Sequence, residues 1–103
     1  MSLNYADQMQ STGKITVPAT PVAETITLGW TPRYVRAYNV NNLVAYEHFS
    51  GMAAGTSLDN ANHSDTQNSL NAAGAITLTA TGFTLGTDIC DTAADVVYWL
   101  AIR

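Results

Sequence analysis

Two stretches of the sequence limit the possible folds most strongly. In each, apolar and polar residues alternate, and a turn that contains glycine interrupts the alternation. The first runs from Ile26 to Tyr38 and contains Gly29-Trp30-Thr31-Pro32. The second, Gly82-Phe83-Thr84-Leu85-Gly86, leads through a polar interval into the apolar run from Val96 to Arg103. A period of two indicates a strand with one buried face, and glycine and proline end such strands. Both stretches predict an all-β chain, and neither holds a nucleophile, a metal cluster or a phosphate-binding loop.

Further segments repeat this strand pattern. Strands are predicted over residues 24–30, 33–40, 43–49, 75–81 and 96–102, with a hairpin at Asn41-Asn42. In the strand over 33–40, Val35 and Ala37 are expected to face inward, with Arg33 and Arg36 outward. Between Gly82 and Gly86, Phe83 and Leu85 are expected to face inward. The near-continuous apolar run of the last strand predicts burial on both faces. We expect residues 25–103 to form a single antiparallel β-sandwich or jelly-roll-like barrel.

Two segments lack the pattern. Residues 1–24 are predicted to form an extended N-terminal arm, because Pro18 and Pro21 disfavour helix in the residues before them. A disordered leader is the alternative. Residues 50–74 are small and polar and predict a long loop, with Met52 and Leu58 holding it to the core.

The composition limits the classes of partner. Charged residues make up 12% of the chain, against roughly 25% in an average soluble domain. Such a surface suits a protein packed in an assembly, and equally a low-charge β domain. A net charge of −4 with four scattered basic residues argues against nucleic acid. We expect a soluble protein made in the cytosol, since no signal peptide, membrane span or cysteine pair is present in the sequence.

Combinations of residues that would support catalysis are weak. Asp59, His63 and Asp65 share one segment, but loop spacing alone does not make three or four ligands converge on a metal. Glu47 and His48 are adjacent in a predicted strand and so face opposite ways, which makes a cross-strand ion pair of Glu47 with Arg33 or Arg36 the expected arrangement. Cys90 is expected to be buried. We therefore predict no enzyme, no metal and no cofactor.

The aromatic residues offer one alternative, a platform that stacks on sugar rings. Alternation assigns most of them to the core and leaves one or two exposed. The set is Trp30, Tyr34, Tyr38, Tyr46, Phe49, Phe83, Tyr98 and Trp99.

Three motifs carry a resemblance to a known group. They are the stretches from Gly29 to Arg36, from Tyr46 to Met52, and from Gly82 to Asp88, the last followed by Tyr98-Trp99-Leu100-Ala101. In these motifs the chain resembles small virion structural proteins of tailed bacteriophages, over roughly residues 25–103. The resemblance implies a capsid decoration (cement) protein or another head- or tail-associated protein, commonly trimeric, and it transfers no catalytic residues.

The expected function is therefore that of a phage capsid decoration protein, which binds the major capsid protein of the assembled head and other copies of itself as a homotrimer. It would be made in the bacterial host cytoplasm and reside in the virion. The alternative is a tail-fibre or tail-associated module that binds host-surface glycan. The residues expected at partner contacts are Tyr5, Val17, Pro18, Pro21, Met52, Leu58 and His63.

Overall fold

A computed structural model describes residues 10–60 and 69–103 of the chain. These residues form eight β-strands and no helix. The strands are β1 (Gln10–Thr16), β2 (Glu24–Thr27), β3 (Tyr34–Asn39), β4 (Val44–Phe49), β5 (Thr56–Asn60), β6 (Ser69–Thr79), β7 (Gly82–Leu85) and β8 (Val96–Ile102). The prediction of an all-β chain is confirmed.

The strands form one antiparallel sheet in the order β1-β8-β3-β4-β5-β6-β7-β2. Its two edge strands, β1 and β2, follow each other in the chain and are joined by residues 17–23. A connection of that length spans at most about 25 Å, so the two edges lie close enough to require a curled sheet. The inner faces meet across the curl, where Phe83 of β7 packs edge-on against Trp99 of β8 with ring centroids 5.3 Å apart. The architecture is a curled antiparallel half-barrel.

The core fills the inner, concave face of this sheet. Val35, Ala37, Ile76, Phe83 and Leu85 are fully buried, as the inward assignments of Val35, Ala37, Phe83 and Leu85 predict. Burying a side chain the size of Phe83 or Leu85 contributes about 2–3 kcal/mol through the hydrophobic effect. In β3 and β7 the alternation of residues is therefore enough to identify the side chains that enter the core.

The predicted glycine corner after β2 is confirmed. Gly29 has a φ of 92°, a left-handed conformation that a residue with a Cβ adopts only under strain. The corner brings the Leu28 and Gly29 amides to the Thr81 carbonyl, at 2.7 and 2.9 Å. It therefore fixes β2 beside the turn that joins β6 to β7.

A buried asparagine ties the β3–β4 turn to the loop before β8. The Asn39 amide nitrogen donates to the Ile89 carbonyl at 3.0 Å and to Asp95 Oδ2 at 3.1 Å. Its Oδ1 accepts from the backbone amides of Asn41 and Asn42, at 2.9 and 3.1 Å. Asn39 is fully buried, so these four bonds replace the water that the amide loses on folding.

Three sequence predictions need correction. The 50–74 segment is not a loop throughout, because β5 and the first residues of β6 pair there. Leu58 does not hold that segment to the core but is 41% exposed. β8 is not buried on both faces, since Tyr98 is 49% exposed while Val97 and Ala101 are inside.

Part of the segment predicted as an N-terminal arm belongs to the sheet. Residues 10–16 form β1, which pairs with β8 of the same chain from Gln10 opposite Ile102 to Thr16 opposite Val96. Val17 follows in the core. Among the described residues there is no helix long and apolar enough to cross a membrane.

Candidate binding face

The outer, convex face of the sheet carries large side chains that the core does not use. Strand register places one row of them across five strands: Leu100 lies opposite Arg36, Arg36 opposite Glu47, Glu47 opposite Leu58, and Leu58 opposite Leu70. The neighbouring row runs from Ile102 through Tyr34 to Phe49. Because successive residues alternate between faces, all of these side chains lie on the face away from the core.

The apolar members of these rows, apart from Leu100, which lines the groove described below, form what we call the outer band. Its residues are Tyr34, Phe49, Leu58, Leu70 and Ile102. Leu70 is 62% exposed, Phe49 47% and Ile102 36%. Tyr34 and Phe49 form a cross-strand aromatic pair with ring centroids 5.0 Å apart. Scattered exposed apolar residues are ordinary, but a contiguous set on one face is typical of an interaction surface.

A small polar network fixes the middle of the outer face. The Tyr34 hydroxyl donates to Glu47 Oε2 at 2.7 Å, and Arg36 Nη1 lies 3.7 Å from the same oxygen. The predicted ion pair of Glu47 is thus confirmed, with Arg36 as its partner. Burial, followed by the hydrogen bond and the charge of Glu47, raises the pKa of Tyr34 to about 12. An exposed ion pair contributes about 0–1 kcal/mol, so the network orients side chains more than it stabilises the fold.

Beside the outer band, β1, β8 and β3 enclose a shallow groove of about 570 Å³, which we call the cationic groove. Tyr98 and Leu100 of β8 lie along its middle, with Tyr38 on the β3 side. Lys14 of β1 stands opposite Tyr98, and Arg36 of β3 opposite Leu100. Thr12, Gly13 and Trp99 complete the lining.

The inner polar groups are accounted for by structural contacts. His48 is buried on the core side, with its Nδ1 2.7 Å from the Thr56 carbonyl. Glu47 faces outward, so the predicted separation of these neighbours is confirmed. In residues 10–60 and 69–103 no three His, Cys, Asp or Glu side chains are grouped so as to hold a metal ion.

Two carboxylates on the inner side are bridged by an asparagine. Asn71 Nδ2 lies 3.4 Å from Asp59 Oδ2 and 3.1 Å from Asp88 Oδ2, and the Ser57 hydroxyl donates to Asp59 at 2.6 Å. Burial raises the pKa of Asp59, and the nearby charge of Asp88 adds to the effect. These bonds join β5, β6 and the loop after β7, so the cluster has a structural role.

The residues expected at partner contacts are spread over the structure. Leu58 belongs to the outer band and Pro18 is exposed, whereas Pro21 and Met52 are half-buried. Val17 is buried in the core, where it has no surface to offer a partner. The Met52 sulfur accepts from the Phe49 amide at 3.2 Å. Tyr5 and His63 lie outside the described residues.

Sequence reasoning missed Leu70, Ile102 and Lys14 as surface-forming residues. The sequence predicts a different structure for each segment. Leu70 lies in the predicted long loop, Ile102 in the strand predicted to be buried on both faces, and Lys14 in the predicted N-terminal arm. Strand alternation gives the relative face of neighbours within a strand, but only pairing shows that these strands share one outer face.

The buried thiol gives a simple test of the core. Cys90 is fully buried, as predicted, and burial raises its pKa to about 11. Since the thiolate is the reactive form, alkylation by iodoacetamide at pH 8 should be on the order of 100-fold slower than in denaturant. The chain has one cysteine, so mass spectrometry measures the reaction directly. Equal rates in the folded and unfolded protein would contradict the burial of Cys90.

Comparison of the chain with models of protein families, with curated proteins and with solved structures finds no match. A function for the outer band and the cationic groove is therefore inferred from the side chains that form them.

Proposed function

We propose that this chain is a structural protein of a bacteriophage particle, a capsid decoration protein that binds the assembled head and has no catalytic activity. The observation that carries the proposal is the outer band: four of its five residues are more than a third exposed on one face of a rigid sheet. The resemblance of the strand-corner motifs at Gly29 and Gly82 supplies the phage context.

The mechanism is burial of the outer band against the major capsid protein and against sister copies in a homotrimer. A stable interface buries at least about 1,200 Å² in total. Large side chains in a row across five strands would contribute part of that area. A protein that binds the lattice and not the free subunit stabilises the shell by mass action. Few charges on the chain keep the desolvation cost of such contacts low.

The sandwich and the arm expected from the sequence belong to the same proposal. In this proposal the curl sets the two halves of the sheet face to face as the layers of a single β-sandwich or jelly-roll-like barrel, and the contact between Phe83 and Trp99 across the curl supports it. Within the described residues β1 is an edge strand, so this part of the 1–24 segment would present backbone groups to a neighbouring subunit. The protein would be found in the virion.

The test replaces apolar residues inside and outside the outer band. Phe49→Ser with Leu58→Ser should reduce co-sedimentation with purified heads of the parent phage at least tenfold, because exposed anchors at an interface cost more than 1 kcal/mol each when removed. Val22→Ser with Leu43→Ser is the matched control, since Val22 and Leu43 are similarly exposed outside the band.

Native mass spectrometry of the same proteins measures whether each of them forms the homotrimer. Equal head occupancy for the two double variants would refute the role of the outer band. Wild-type protein that sediments with tails and not with heads would refute the decoration role.

The second candidate is a tail-fibre or tail-associated module that binds host-surface glycan. The observation that favours it is Tyr98, about half exposed in the cationic groove beside Tyr38. Aromatic faces stack on the apolar faces of sugar rings, and the groove lies next to the outer band rather than within it.

A further inference from the structure

The cationic groove has a charge opposite to that of the chain as a whole. The chain carries four basic and eight acidic residues. The eight residues that line the groove include two of the basic ones, Lys14 and Arg36, and none of the acidic ones. Within the described residues Arg36 forms an ion pair with Glu47, whereas no ion pair of Lys14 is found. The groove is therefore the surface of this acidic protein that is best suited to bind an anion.

The two cations stand on opposite sides of an apolar strip formed by Tyr98 and Leu100. Lys14 lies on β1 and Arg36 on β3, with β8 between them. Neighbouring strands are about 4.8 Å apart, and Lys14 and Arg36 are also offset by two residues along β8, so the two side chains arise about 12 Å from each other. Tyr98 and Leu100 cover the interval, and the Thr12 hydroxyl lies at its β1 edge.

From this arrangement we infer that the groove binds an acidic saccharide, a chain of sugar rings that bear carboxylates such as hexuronic acids. The apolar face of one ring would stack on Tyr98, a carboxylate would meet Lys14, and ring hydroxyls would reach Thr12 and the Tyr38 hydroxyl. The volume of about 570 Å³ lies in the usual range for ligand sites, roughly 300–1,000 Å³. This inference rests on the second candidate function and is independent of the first.

The groove favours a saccharide over an acidic peptide because its middle is apolar and its polar groups stand at the edges. A peptide strand would take its backbone hydrogen bonds from a free sheet edge. The middle of the groove is β8, whose backbone pairs with β1 on one side and β3 on the other. Stacking and charge are therefore the interactions that remain for the ligand.

The experiment compares tri-galacturonic acid with a galactose trisaccharide by calorimetry on the full chain. The acidic probe should bind at least tenfold more tightly, and its affinity should fall as salt is raised because exposed charges are screened. Lys14→Gln should remove most of the difference between the two probes. Tyr98→Ala should weaken both. Val22→Ala, at an exposed apolar residue outside both the cationic groove and the outer band, is the control and should leave both affinities unchanged.

The opposing outcomes are distinct. Equal binding of the two probes, or an unchanged preference in Lys14→Gln, overturns the acidic ligand and leaves glycan binding in place. Absence of binding to either probe overturns this inference and removes the support for the second candidate function. Head binding by the outer band is measured separately, so neither result bears on the decoration role. Thermal melting of each variant shows whether the fold is retained.

Discussion

Gly82→Ala is expected to lower the free energy of unfolding by about 3 kcal/mol, a large part of the roughly 5–15 kcal/mol of a domain this size. Gly82 opens β7 and pairs with Thr27 of β2. A Cβ at this position would overlap the carbonyl oxygen of Ile26. That oxygen belongs to the backbone, so it cannot move aside by a change of side-chain rotamer. The two strands must separate to admit the methyl group. Because β2 is a four-residue edge strand, we expect it to detach and uncover Phe83.

The matched control is Gly51→Ala. Gly51 has a φ of 99° but no neighbouring atom within 4 Å of an added Cβ, so its substitution costs only backbone strain, about 1–2 kcal/mol. Urea unfolding followed by the fluorescence of Trp30 and Trp99 measures both variants. If Gly82→Ala were no more destabilising than Gly51→Ala, the close approach of β2 and β7 would be refuted.

The strands and their faces could be predicted from the sequence because each depends on neighbours in the chain. Alternation in the 33–40 and 82–86 segments places Val35, Ala37, Phe83 and Leu85 inside, as observed. The ion pair of Glu47 followed from the short hairpin at Asn41-Asn42, which fixes the register of β3 and β4.

The curl and the outer band could not be predicted, because they depend on pairing between distant segments. β1 pairs with β8, eighty or more positions away, and nothing in the composition of residues 10–16 reveals that partner. Leu58 illustrates the same limit. Its hydrophobicity suggested the core, yet its register opposite Glu47 places it on the outer face.

The position of β1 also changes how the arm must be tested. Deleting residues 1–22 would remove β1 together with Ile15 and Val17, which pack in the core. The edge of β8 and the indole of Trp99 would then be uncovered. Loss of head binding in such a variant would report unfolding and not the loss of an arm, so substitutions on the intact sheet are the sharper test.

Asn39→Ala is expected to lower the free energy of unfolding by about 3 kcal/mol, because it removes the four hydrogen bonds that one buried side-chain amide makes. The change leaves the Ile89 carbonyl and Asp95 Oδ2 without their donor and the Asn41 and Asn42 amides without their acceptor. Each buried polar group left unpaired costs about 1–3 kcal/mol, and water reaches the two turn amides more readily than the two inner acceptors. Thermal and urea unfolding measure the loss.

Two further variants separate the causes. Asn39→Asp keeps the shape and the acceptor for the turn amides but sets an oxygen against Ile89 O and Asp95 Oδ2, so it should be at least as unstable as Asn39→Ala at neutral pH. Asn42→Ala is the control, since its side chain makes one exposed bond of 3.3 Å to Asp91 and its loss should cost no more than about 0.5 kcal/mol. A stable Asn39→Asp protein would refute donation from Asn39 to the loop before β8. That donation joins the β3–β4 turn to the loop that leads into β8, the strand that carries Tyr98.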